Sequence, residues 1–116
     1  MNENEKIWTG KEGKEIDVES EVVGTYCMVR TYSAGVFAGE ILAKKGKEVV
    51  LKNARRIWAW EGAASLSELA QRGTSKPDEC KFPCEVSRVL LTEVIEIIPC
   101  TEEARKSIAS VPTWSG

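Results

Sequence analysis

Apolar residues along the chain gather into segments whose lengths and neighbours predict short strands and two short helices. Val36 to Ala43 reads as a strand, and Val49 to Ala54 as the strand that pairs back on it. The intervening Lys44 to Lys47 is a turn, with Gly46 placed for a positive φ. Val86 to Ile98 carries the strongest strand signal; its length predicts a bend or two strands end to end, and Pro99 ends it. Ile16 to Val29 is rich in β-branched residues, among them Val18, Val22, Val23 and Val29, and predicts further strand. Arg55 to Trp60 continues the β pattern until Gly62. Ser65, with Glu68 three residues on, forms a capping box ahead of Leu66, Leu69 and Ala70, and Gly73 is the stop. Thr101 caps a last helix, with Glu102 and Glu103 in its first turn, Lys106 near its end and Pro112 beyond. Thr31 to Gly35 is a small-residue loop, Thr74 to Pro83 a longer loop, and Lys11 to Lys14 a turn. The sum is an α+β domain: an antiparallel β-sheet with two short helices.

Length and charge narrow the function classes. The 116 residues make one domain spanning 1–116, with flexible ends expected at 1–6 and 115–116. Hydrophobic residues at 42% and charged residues at 29% are ordinary for a chain that folds. Sixteen basic against eighteen acidic residues give a net charge of −2. That leaves no basic stripe for a duplex nucleic-acid backbone, since the densest run, Lys44-Lys45-Gly46-Lys47, is the predicted turn. No apolar run approaches the ~20 residues needed to cross a bilayer, and the acidic start, Met-Asn-Glu-Asn-Glu-Lys, does not read as a signal peptide. Cys27, Cys80, Cys84 and Cys100 fit a reducing cytoplasm in which thiols stay free.

The chain offers little to a catalyst. It contains no histidine, the commonest general acid or base near neutral pH. It has neither a phosphate-cradling P-loop nor a dinucleotide glycine fingerprint. The Cys80/Cys84 spacing falls within the range some zinc sites use, but Cys27 and Cys100 stand singly in predicted strands; no metal and no cofactor is expected.

Candidate binding residues are more numerous, and each has a structural alternative. On a strand, Arg56, Trp58 and Trp60 would share one face, with Arg55, Ile57 and Ala59 on the other. A guanidinium beside indoles can fork onto a phosphate while a ring stacks on a base; equally, the indoles can be core and the arginine stem packed across them. Asn53 opens this stretch. In Ser33-Ala34-Gly35-Val36-Phe37 the small residues let a ligand approach the backbone, whose N–H groups can form an anion nest with Arg30 just upstream; the alternative is a hairpin connection that needs glycine. Phe82 is either a stacking lid or a plug over the core. Arg105 is either a phosphate ligand or an exposed arginine.

The run from Met28 through Arg30, Ser33, Ala34, Gly35, Val36 and Phe37 to Glu40, followed by Asn53 to Trp60, resembles the phage Thoeris anti-defense sponge family. Gly73-Thr74-Ser75, Phe82-Pro83 and Ile97-Ile98-Pro99-Cys100-Thr101 fit the same pattern, so the resemblance covers nearly the whole chain. It implies a homo-oligomeric protein made in the cytoplasm of an infected bacterium. Such a protein binds glycocyclic ADP-ribose isomers without cleaving them, so that the downstream effector stays off. It implies ligand pockets where subunits meet and, in some members, separate sites for cyclic oligonucleotides. Arg30, Arg56 and Arg105 are then candidates for the pyrophosphate, and Phe37, Phe82 or Trp58 for the base. Two other readings of the residues stand beside it: a small phage structural, protein-interaction or regulatory module, and a hydrolase of a nucleotide signal.

Overall fold

Five antiparallel strands, β3 (Tyr26–Thr31), β4 (Val36–Lys45), β5 (Glu48–Arg56), β6 (Val86–Leu91) and β7 (Val94–Pro99), form one sheet in the order β6-β5-β4-β3-β7. Two helices, α1 (Leu66–Arg72) and α2 (Glu102–Ser110), pack on one side, giving the expected α+β architecture. These are the elements of a computed structural model that describes residues 8–9 and 15–115. A further two-stranded pair precedes them, β1 (Trp8–Thr9) with β2 (Glu15–Ile16). The turn read at 11–14, and the flexible ends read at 1–6 and at 116, lie outside the described residues; Ser115 is exposed.

The sheet is rolled. Its two edge strands, β6 and β7, are joined by Thr92 and Glu93 alone. Three Cα steps from Leu91 to Val94 reach at most about 11 Å, whereas the edges of five flat strands stand about 19 Å apart. The linker is fastened at both seams: Val94 N–H donates to the Lys47 carbonyl at 3.0 Å, and Tyr32 N–H to the Glu93 carbonyl at 2.9 Å. Cys27, Val29, Phe37, Ile41, Val49, Leu51, Leu91 and Val94 fill the inside of the roll. Outside it, Met28, Ala38 and Ile57 meet Leu69, Ala70, Phe82, Ile108 and Val111 in a second apolar layer under the helices. Burying a Leu, Ile or Phe side chain stabilises by about 1.5–3 kcal/mol each, and Phe82, Ile41, Leu51, Leu69 and Ile108 are all fully buried.

Several elements fall where the sequence places them. Ser65 accepts from Glu68 N–H and Thr101 from Ala104 N–H, the two expected caps. The β4–β5 turn pairs Lys45 with Glu48, and the 86–98 segment is two strands. Two expectations are corrected. Residues 17–25 form turns rather than a strand: Asp17 accepts Glu19 N–H on its side chain and Glu21 N–H on its carbonyl, and half-buried Val22 packs against the apolar cluster inside the roll. The β pattern beyond Arg55 stops at Arg56, because its partner strand begins at Val36. Ile57 N–H makes the last bond, to the Val36 carbonyl, and the chain then turns away so that Ala59 pairs with Lys81.

Gly73 ends α1 at φ 78°, ψ −154°, donating its N–H to Leu69, and lies against Ser107 of α2. That backbone region belongs almost exclusively to glycine. A Cβ at this position would also fall on the Ser107 side chain. Gly73→Ala should therefore lower stability by about 2 kcal/mol or more in urea denaturation. Gly46→Ala, at φ 57° with open space around it, should cost about 1 kcal/mol.

Candidate functional site

Asn53 sits at φ 51°, a conformation that side-chain-bearing residues seldom adopt. It is the extra residue of a β-bulge: Ala38 pairs with Arg55 and Glu40 with Lys52, so two steps on β4 oppose three on β5. In an unbroken strand Lys52 and Arg55 would point to opposite faces. The bulge resets that parity, and both face the helix side of the sheet. There Tyr26, Glu40, Lys52, Asn53 and Arg55 form the floor of a polar cleft of about 380 Å³. Glu85, Arg105 and Ala109 of α2, and the tail residues Val111 and Thr113 complete it.

Among the described residues no salt bridge joins the charges that line the cleft. The Arg105 guanidinium lies over the Tyr26 ring, 5.0 Å from its centroid. Burial pushes the Tyr26 hydroxyl up from its ordinary value of 10.0 to about 12, helped by Cys100 and Glu85 and opposed by Arg105 and Arg55. Tyr26 therefore stays a neutral O–H donor at every physiological pH. Arg55 is structural: buried, it donates to the carbonyls of Ile108 at 2.9 Å, Phe82 at 3.1 Å and Pro83 at 3.3 Å. Lys52, Asn53 and Arg105 are exposed and face the opening.

Of the residues singled out in the sequence, the structure brings Asn53 and Arg105 into this cleft and places the others elsewhere. Ser33, Ala34 and Gly35 form an exposed loop folded over Thr31. The Thr31 hydroxyl accepts from Ala34 N–H at 2.9 Å and donates to the Gly35 carbonyl at 2.8 Å. Arg56 donates to the Ala34 carbonyl and lies over the Phe37 ring at 4.4 Å, so Arg56 and the loop do meet. Half-buried Val36 packs on the helix-side layer, and Phe37 is inside the roll with its ring closed to solvent. Arg30 is exposed and salt-bridged to Glu96 at 2.9 Å.

The aromatic residues divide differently from the expectation of one shared strand face. Because the strand ends at Arg56, Arg56, Trp58 and Trp60 do not line one side. Trp58 is 64% exposed and stacks on Trp114, with centroids 6.5 Å apart and planes 10° apart. Trp60 packs against the helix-side layer and donates to the Ala63 carbonyl at 3.2 Å. Phe82 is fully buried beneath Arg55, a plug rather than a lid. Cys80 is buried against the carbonyls of Glu61 and Lys76 while Cys84 is exposed. Among the described residues no group of three Cys, Asp or Glu is placed to hold a metal ion.

Sequence reasoning missed Tyr26, Glu40, Lys52 and Glu85. They are distant in sequence, and though Glu40 closes the 28–40 run none was singled out as a site residue; the available signal was Asn53, a residue suited to the positive φ of a bulge. A second hollow, apolar and about 450 Å³, lies between residues 18–22 and β7 and contains none of the predicted site residues. The polar cleft is the better candidate for an anionic ligand because cations and a protected hydroxyl converge there.

Fold and cleft together define a small α+β domain with a five-stranded antiparallel sheet, two helices on one side and a polar cleft between them. The chain belongs to the family described as a domain of unknown function (DUF6948), whose model matches residues 24–108 and so takes in the whole five-stranded sheet and most of α2. No curated protein matches the sequence. Among the described residues no helix is long and apolar enough to cross a membrane.

Two outcomes test this geometry. Arg55→Ala removes three hydrogen bonds donated by one buried guanidinium, leaving the Ile108 and Phe82 carbonyls only the Val111 and Trp114 N–H groups, and should cost about 2–4 kcal/mol in chemical denaturation. Alkali should also destabilise the fold. Tyr26 is raised to about 12, and Cys100 rises from 9.0 to about 12 through burial and Cys27. The unfolded chain releases these protons first, so stability falls as pH climbs from about 9 to 12. A Tyr26→Phe/Cys100→Ala variant should flatten that decline in a pH series of thermal melts.

Proposed function

We propose that the protein is a sponge: it binds a glycocyclic ADP-ribose signal, holds it intact and so keeps a Thoeris effector inactive in an infected bacterial cell. The observation that carries this reading on the structural side is the cleft at the Asn53 bulge, where Arg105 on Tyr26, the Lys52 ammonium and the Asn53 amide converge on about 380 Å³. Guanidinium and ammonium groups suit a pyrophosphate, an amide suits a base edge, and a Tyr held neutral supplies a fixed donor. The family pattern in residues 28–40 and 53–60 supports the same ligand.

The reading asks for sequestration rather than turnover. A sponge acts by stoichiometry, so its dissociation constant has to fall in or below the nanomolar range, roughly −12 kcal/mol. A floor built on hydrogen-bonded strands and braced by Arg55 limits the ordering cost of such binding. Self-assembly belongs to the proposal, with ligand pockets completed where subunits meet. Tyr32 at 76%, Trp58 at 64% and Leu90 at 58% exposure are surfaces that assembly would cover. Cyclic oligonucleotides are a second ligand class for separate sites.

A bind-and-release assay tests it. Protein incubated with glycocyclic ADP-ribose should clear the ligand from a filtrate and return it unchanged after heat denaturation. Ligand returned altered would make the protein an enzyme; ligand never retained would favour a protein-interaction module. Arg105→Ala should weaken binding at least tenfold, about 1.4 kcal/mol, as read by titration calorimetry with the fold checked by circular dichroism.

A further inference from the structure

A cleft shaped for anions has little use for carboxylates, yet this one contains two. Register puts Glu40 in the middle of a ladder that crosses four strands: Tyr26 pairs with Glu40, Glu40 with Lys52, and Lys52 with Arg88. The first three members line the cleft, so a tyrosine, a glutamate and a lysine follow one another on strands whose backbones lie about 5 Å apart. Glu85 lines the same cleft, and its charge is felt at the Tyr26 hydroxyl together with that of Arg105. Among the described residues the salt bridges are Arg30–Glu96 and Arg72–Glu68. Among the described residues Glu40 and Glu85 are therefore not neutralised by contact, although Lys52 is the direct cross-strand neighbour of Glu40.

Unpaired carboxylates do two things to a ligand. They accept hydrogen bonds from hydroxyl groups, as acidic side chains do with ribose in dinucleotide sites. They also repel phosphates, and a like charge set against the wrong ligand is a common source of specificity. A cyclised ADP-ribose carries one pyrophosphate spread between two riboses, so its hydroxyls lie beside its charge. A nucleoside triphosphate concentrates more charge at one end, and any nucleotide-binding protein in a cell meets it in large excess.

We propose that Glu40 and Glu85 are the specificity residues of the cleft: with Lys52 and Arg105 they admit a ribose-flanked pyrophosphate and turn away nucleoside polyphosphates. This rests on the sequestration reading and adds to it the class of molecule the site rejects. The test is the ratio of affinities for glycocyclic ADP-ribose and for magnesium-free ATP, measured by calorimetry at fixed ionic strength. In Glu40→Gln/Glu85→Gln the preference for glycocyclic ADP-ribose should shrink at least tenfold, with ATP gaining affinity and glycocyclic ADP-ribose losing it. An unchanged or larger preference overturns the assignment while leaving sequestration in place. Failure of the wild-type protein to bind either probe removes the sequestration reading and this one with it. The exposed single variant Glu85→Gln reads the same ratio in the same direction should the double variant prove unstable.

Discussion

The guanidinium of Arg55 ties three parts of the molecule that the chain itself leaves far apart. From its place on β5 it reaches the Phe82 and Pro83 carbonyls in the long loop and the Ile108 carbonyl at the end of α2. The bonds to Phe82 and Ile108 are buried, where a carbonyl has two lone pairs to satisfy; Arg55 serves one on each, and the Trp114 and Val111 N–H groups serve the other. A forked, permanently charged group can serve all three at once, which a lysine ammonium on a flexible stem does less well. With Arg55 in place, the last turn of α2 and the tail through Thr113 are held against the sheet, and the cleft acquires its wall. Arg55 lines that cleft with three of its five N–H donors already given to the protein, so on the sequestration reading the exposed Arg105 and Lys52 are the main cations for a ligand.

The bulge at Asn53 is the companion constraint. A strand delivers every second residue to a given face, so a cationic floor with Lys52 and Arg55 on the same side needs one residue out of step. Asn53 takes that step, and its own side chain is left at the cleft's edge. The same irregularity helps β5 follow the curvature that the Thr92–Glu93 link imposes on the whole sheet, since bulges bend and twist the strand that contains them. Closure of the roll and composition of the site thus draw on one local feature.

Local chemistry was legible in the sequence, and long-range consequence was not. Ser65 with Glu68, Thr101 with its two glutamates, and Gly73 each act through neighbours within four residues, so the caps could be read directly. The valines of 17–25 misled because β propensity measures fit to a pleated, half-buried surface, and here Asp17 and Ser20 offer the backbone turn bonds instead. The alternation through Trp58 and Trp60 failed because a strand lasts only as long as its partner. Tyr26, Glu40, Lys52 and Glu85 come together through register and the bulge, neither of which leaves a local motif. Arg105 was visible as a candidate cation on the last helix, but its meaning came from the Tyr26 ring beneath it.

Burial of both phenyl rings changes how a base would be held. On the sequestration reading an adenine needs a flat face, and Phe37 and Phe82 have none to give. The ring of Tyr26 is covered by Arg105, so the planar surface left at the mouth of the cleft is the guanidinium itself, already oriented by the ring below it. A base stacked there would extend the Tyr26–Arg105 pile and bring its edge toward Asn53. The second face of that base is supplied by nothing in the same cleft, whereas Trp58 and Tyr32 stand exposed on the surface of every copy. On the same reading, a neighbouring subunit presenting one of these rings would close the stack, so the proposed self-assembly would have a physical reason: one chain would provide the charge and hydroxyl chemistry, and a second the missing aromatic wall.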